Sequence, residues 1–263
     1  MIALINKKAS IVNIINRSVG MGGNLILIMF VAIFTTPEIQ GFYYTFSSLI
    51  VLQFFVELGL GTAIIQTISH AASEIEKKVL IISFLKVYVF LSFLLIAILT
   101  PSILFFKTEY SNVNNYQIEI LIPWFLLSFF TGVTLFVNGC LSILEGLNKI
   151  EKVSKIRLLQ STISYLVASV ILVFGGGLYS IAFIPVVQGV VGILKVVQNK
   201  EITFKNSEKN NLIYKVKWFE DIWPLQWRVA ISWAAGFFVF YIYTPLIMKM
   251  DGPISAGKVG MTL

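Results

Sequence analysis

The chain is poor in the residues that wet a soluble surface. Charged side chains make up 13% of its 263 residues, and only 13 are acidic, where soluble domains carry roughly a quarter charged residues. There is one cysteine, Cys140, and one histidine, His70. That excludes an internal disulfide and a thiolate metal site, and no cofactor is expected. Gly175-Gly176-Gly177 is the one glycine run, but no Lys-Ser/Thr follows it and it joins two apolar stretches. It reads as a tight turn and not as a phosphate loop. With 57% hydrophobic residues and a mean hydropathy of +0.86, a soluble domain of this length could not hide its apolar surface from water. Lipid as the solvent removes the difficulty. A net charge of +7 would raise nucleic acid as a partner of a soluble protein. Here the basic residues sit in short segments between apolar runs, so membrane topology accounts for them and no nucleic acid is expected.

What is present is a series of long apolar runs. A membrane helix needs about 20 predominantly apolar residues. Six runs qualify, at about 18–36, 42–69, 79–106, 118–145, 157–174 and 178–198, and a seventh at about 221–248 is interrupted by Arg228. Runs this long exclude barrel strands, which alternate over about ten residues, so the expected fold is an all-α polytopic bundle. The N-terminal run lacks a small-residue cleavage pattern and is read as a retained first helix. With the N-terminus placed in the cytoplasm, fifteen basic residues fall inside: Lys7, Lys8, Arg17, Lys77, Lys78, Lys149, Lys152, Lys155, Arg157, Lys195, Lys200, Lys205, Lys209, Lys215 and Lys217. Three fall outside (Lys107, Lys249, Lys258), and Lys86 and Arg228 lie within runs. This bias sets the orientation. Outer loops are expected at about 37–41, 107–117 and 175–177. Tyr43, Tyr44 and Trp124 are read as an outer aromatic belt, and Trp218 and Trp223 as an inner one.

The longest polar stretch, 199–217, divides the chain into a first lobe of six helices (1–198), a cytoplasmic linker (199–217) and the start of a second lobe (218–263). A weak repeat points the same way. Arg17 opens a helix that ends near Gly41, and Arg228 opens one that ends near Gly257, with offsets of 211 and 216 residues. Internal repeats are common in transporters. Residues 252–263 read as the start of an eighth helix, so the expectation is a truncated chain.

An ionisable group at bilayer depth costs roughly 2.5–3.5 kcal/mol on insertion scales and needs a reason. Glu57 sits near the middle of the second run, on a stripe with Gln53 and Gly61. Two readings stand: a hydrogen bond between helices, or an ion-coupling or substrate-contacting carboxylate. Arg228, on a face with Pro224, Ser232 and Gly236, and Arg17, on a face with Asn13, Gly20 and Asn24, are expected near one level toward the cytoplasmic side. Arginine suits phosphate because its planar fork donates two hydrogen bonds at once, so the pair is a candidate diphosphate clamp. Interfacial anchoring is the alternative. Lys86 is read as snorkelling. Polar stripes on the fourth run (Thr131, Thr134, Asn138, Ser142, Glu145) and the fifth (Arg157, Ser161, Ser164, Ala168) suit helix contact, or equally a wet path that Asn138 and Ser164 would line. Gly20, Gly22 and Gly23 are expected to allow close helix approach, and Cys140 to be a packing residue.

Glu57-Leu58-Gly59-Leu60-Gly61-Thr62-Ala63-Ile64-Ile65-Gln66 resembles a stretch of bacterial O-antigen flippases and related polysaccharide-export proteins. Leu144-Glu145-Gly146, Thr244-Pro245-Leu246, Gly252-Pro253 and Ala256-Gly257-Lys258-Val259-Gly260-Met261 are similar to the same proteins. Their family belongs to the multidrug/oligosaccharidyl-lipid/polysaccharide exporter superfamily. The resemblance implies two six-helix lobes, alternating access, and movement of an undecaprenyl-diphosphate-linked oligosaccharide across the bacterial inner membrane. Cationic cavity residues would hold the diphosphate. The implied partners are that lipid-linked sugar, membrane lipid, a polysaccharide polymerase and a chain-length regulator. A drug or cation antiporter of the same superfamily would favour acidic cavity residues, and here Glu57 is outnumbered by the arginines. A membrane enzyme such as a polymerase or acyltransferase is disfavoured. The outer loops offer Glu38, Lys107 and Glu109, with no histidine and no aspartate before Asp251.

Overall fold

The computed structural model describes residues 2–104, 120–199, 218 and 222–262. Among them there is no strand, and seven helical spans are long and apolar enough to cross a membrane. The protein is therefore an all-α, multi-pass membrane bundle. The helices are α1 (Ile2–Phe34), α2 (Pro37–Ile50), α3 (Leu52–Glu57), α4 (Leu60–His70), α5 (Glu74–Ser102), α6 (Leu121–Gly146), α7 (Ile150–Val173), α8 (Tyr179–Val197), α9 (Trp223–Phe240), α10 (Tyr243–Asp251) and α11 (Pro253–Thr262), with α2–α4 sharing one span and α9–α10 another. The expected loop at 107–117 and nearly all of the expected linker at 199–217 lie outside the described residues.

Helix ends follow local chemistry. Thr36 caps α2 and Pro37 opens it, where the missing N–H of proline costs nothing. The expected loop at 37–41 is therefore already helix. Ser73 caps α5 by accepting from the Glu76 N–H at 3.1 Å, and the Glu76 carboxylate accepts from the Ala72 N–H at 2.9 Å, close to a capping box. Lys77 and Lys78 lie on the first turns of α5, and Lys152, Lys155 and Arg157 on those of α7. Residues expected in loops are thus on helix. Gly175 and Gly177 adopt positive φ, so the expected turn at 175–177 is present.

The second run is not one helix. It bends at Val51 and breaks at Leu58–Gly59, two consecutive left-handed residues with φ of 50° and 70°. The seventh run is interrupted at Tyr241–Ile242.

Helix α1 packs on α7, α5 and α8 pack on α6, and α8 packs on α7. Interhelical hydrogen bonds join α1 to α7, with the Ser154 hydroxyl donating to the Asn13 side chain at 2.6 Å and Ser161 to Asn16 at 3.2 Å. Of the three early glycines, only Gly23 meets a neighbour, the Tyr165 ring; Gly20 and Gly22 face open space. The outer aromatic belt is also corrected. Trp124 is fully buried, packs on Phe46 at 4.5 Å and donates its indole N–H to the Leu99 carbonyl at 2.9 Å. Tyr43 and Tyr44 are buried too. Trp218 packs edge-on against Phe84, and Trp223 is exposed.

Helices α10 and α11 pack on α2. The contact is reciprocal: a Cβ at Gly41 would strike the Pro253 carbonyl, and one at Gly257 would lie 3.2 Å from the Pro37 carbonyl. Pro37 and Pro253, Gly41 and Gly257, and Tyr44 and Gly260 are each 216 residues apart, and a Cβ at Gly260 would strike Tyr44. Matching residues meeting across one contact is the signature of a local two-fold axis. It fits the 216-residue offset of the repeat. Replacing Gly257 with leucine should destabilise the chain by about 1–3 kcal/mol through overpacking, read as a lowered midpoint in a detergent denaturation series. The same change at Gly20, which faces open space, should leave the midpoint unmoved.

Candidate functional site

The break in the second span creates the need that the site fills. A helix start leaves its first N–H groups without intrahelical partners, and in lipid no water replaces them. Leu58 still donates to the Phe54 carbonyl at 3.0 Å, closing α3, and Thr62 donates to Gly59 at 3.1 Å, opening α4. Between them the Glu57 carboxyl faces the backbone N–H of Gly61 in the first turn of α4. It also accepts the Tyr88 hydroxyl of α5 at 2.7 Å. Negative charge at a helix N-terminus is favourable, so the carboxylate suits the start of α4, and it finds a donor in Tyr88.

Two glycines make room. A Cβ at Gly61 would lie 2.8 Å from the Glu57 oxygen and 3.0 Å from the Ser142 hydroxyl, and one at Gly139 would enter the Tyr88 ring. Tyr88 is fully buried, Ser142 is buried and Glu57 is half-buried. Arg157 lies within electrostatic reach of Glu57 and pairs with Glu145 at 2.7 Å, tying α7 to α6. One cluster across α3, α4, α5 and α6 therefore holds Glu57, Gly61, Tyr88 and Ser142, with the Glu145–Arg157 pair beside it. This set can hold or release a proton, or accept a small cation, at Glu57. Among the described residues no group of three or more His, Cys, Asp or Glu is placed to hold a metal ion.

Comparison with protein-family models, with curated proteins and with solved structures finds no match to this chain.

The other expected residues are spread more widely. Gln53 is half-buried on α3, and the break separates it from Gly61, so the three do not form one continuous helical stripe. Asn138 is half-buried on α6. Ser164 is fully buried and donates to the Ser161 carbonyl at 3.0 Å, while Thr131 and Thr134 likewise bond back to their own helix. These three hydroxyls are thus satisfied within their own helices. Arg17 and Arg228 are exposed, and among the described residues neither forms an ion pair. Arg228 stands 5.9 Å from the centre of the Trp227 ring. The two arginines sit on helices with different neighbours, α1 on α7 and α9 on α3 and α4. Arg228 is also five residues farther from Pro253 than Arg17 is from Pro37. In the 216-residue register their positions are not equivalent. Lys86 is exposed on α5 and borders a shallow apolar groove of about 350 Å³ lined by Ile82, Leu85, Val89 and Phe136.

The residue that sequence reasoning missed is Tyr88. It lies in a run of apolar residues, and its partner is 31 positions away. A double-mutant cycle with Glu57→Ala and Tyr88→Phe should return a coupling of about 0.5–1.7 kcal/mol in unfolding free energy, the range found for hydrogen bonds between membrane helices. Glu57→Gln, which keeps an acceptor, should retain most of the wild-type stability.

Proposed function

We propose that the protein is a bacterial flippase for lipid-linked oligosaccharides, moving an undecaprenyl-diphosphate-linked sugar unit across the inner membrane by alternating access, with its N-terminus in the cytoplasm. The observation that carries this reading is the asymmetry of charge within the apolar spans. The acidic groups Glu57 and Glu145 are engaged, by Tyr88 and Arg157. The cationic groups Arg17 and Arg228 are exposed on two separate helices and form no ion pair among the described residues. Guanidiniums within apolar spans that have no ion-pair partner among the described residues suit a bidentate phosphate ligand. The reciprocal contact of α2 with α11 supports a first lobe ending near 198 and a second beginning near 218, as an alternating-access bundle requires. Ion coupling would fall to Glu57, and Gln53, Asn138 and Ser164 would border the path. A polymerase and a chain-length regulator would act on the exported unit. The second reading, a cation antiporter, is favoured by the half-buried Glu57 carboxylate alone.

Expression from the complete gene in a bacterium whose own O-unit flippase is deleted tests the reading. Surface polysaccharide should return with the wild type, and Arg17→Ala and Arg228→Ala, inserted at normal levels, should reduce it at least about tenfold, the loss expected from removing one charged hydrogen-bond partner. Failure with several lipid-linked units, together with efflux of cationic dyes, would replace it with the antiporter reading.

A further inference from the structure

Helix α3 is six residues long and bounded by a bend at Val51 and the break at Leu58–Gly59. Its two neighbours in the span are held differently. None of the α3 residues is fully buried, whereas α4 buries Leu60, Gly61, Ala63, Ile64 and Ile68. Helix α4 is seated on α6: Gly146 fits beneath Ile65 and Ile68, and Gly61 against Ser142. Helix α3 is instead faced by α9 through aromatic rings. Phe54 stacks on Trp233 with centroids 4.4 Å apart and planes within 8°, and Phe55 meets Phe237 edge-on at 5.0 Å. The break itself abuts α9, since a Cβ at Gly59 would strike the Val229 side chain. At the other end of the span, α2 is held to α11 by the reciprocal Gly41 and Gly257 contact.

We infer that Leu58–Gly59 is a hinge, that α3 moves with α9 while α4 stays with α6, and that Glu57 is the latch across it. The geometry meets the three needs of a hinge. The left-handed dihedrals are confined to two consecutive residues, and hinges place their dihedral change in a few such positions. One of them is a leucine held at φ 50°, a conformation that disfavours a side chain and is kept only where its surroundings impose it. Helix α9 touches both α3 and α4, but its ring contacts fall on α3, while close-fitting glycines join α4 to α6. Glu57 ends α3 and its carboxyl faces α4 and α5, so it bridges the moving and the stationary parts. When the latch is made, α3 and α9 are drawn to the Tyr88 side of the bundle. When it is released, α9 is free to turn about the Gly41–Gly257 contact. The inference does not depend on what the protein moves.

The test uses the whole chain in lipid nanodiscs, with spin labels at Leu166→Cys on α7 and Ile231→Cys on α9, both exposed positions; Cys140 is buried and takes no label. Two separations are expected between the labels. A disulfide between Phe54→Cys and Trp233→Cys, formed in the same chain by oxidation before labelling of the remaining thiols, should leave both populations present, because α3 and α9 move together. Glu57→Ala and Tyr88→Phe should each shift the ratio of the populations by about fivefold or more, the factor that one broken hydrogen bond produces. Glu57→Gln should shift it less. Collapse to one separation on cross-linking would show that α3 and α9 move apart and would overturn the hinge. A single narrow separation without the cross-link would overturn it too, as would unchanged ratios in both latch variants.

Discussion

A backbone N–H in the interior of a bilayer has no water to turn to, and this one constraint organises the centre of the protein. The second span gives up helical continuity at Leu58–Gly59, and the Glu57 carboxyl beside the opened turn answers part of the resulting demand. The carboxyl in turn needs a donor, and Tyr88 supplies it at 2.7 Å. Room for the pair requires glycine at 61 and 139. The polar residues of α6 and α7 follow from the same rule. Ser142 lies against Gly61, Glu145 pairs with Arg157, and Thr131, Thr134, Ser154, Ser161 and Ser164 bond to their own helices or to α1, while the buried Ser128 hydroxyl has no partner among the described residues.

The number and placement of the membrane spans were legible because about 20 apolar residues in a row admit few structures. The observed spans match the apolar runs, with ends displaced by up to about seven residues, and a side-chain cap explains the shift at α2. Thr36-Pro37 starts α2 earlier than hydropathy suggests, and α7 begins at Ile150 while the sequence is still basic. The break within the second run was not legible. Hydropathy is blind to φ, and one of the two left-handed residues is a leucine. The pattern Glu57-Leu58-Gly59-Leu60-Gly61 did hold the signal: a mid-membrane carboxylate followed by two glycines marks a place where a helix can open and have its N–H groups met.

Aromatic residues were misread for a related reason. Tyrosine and tryptophan near a helix end suit the lipid interface, but they suit the interior equally when the polar atom finds a partner. Trp124 finds the Leu99 carbonyl, whereas the buried Tyr44 hydroxyl has no partner among the described residues. Sequence also paired Arg17 with Arg228 by the likeness of their surroundings. The structure relates α2 and α11 by an offset of 216, set by prolines and glycines that meet, and the arginines fall out of that register by five residues. Their common property is exposure without an acidic partner among the described residues, and that property, not symmetry, underlies the proposed anionic ligand.

The central claim is that Glu57 holds the opened end of α4. Amide hydrogen exchange of the whole chain in nanodiscs addresses it directly, because local opening is read from protection of individual segments. In the wild type, residues 60–63 should exchange slowly, and Glu57→Ala should accelerate them while α6 remains protected. Equal protection of residues 60–63 with and without the carboxylate would contradict the account.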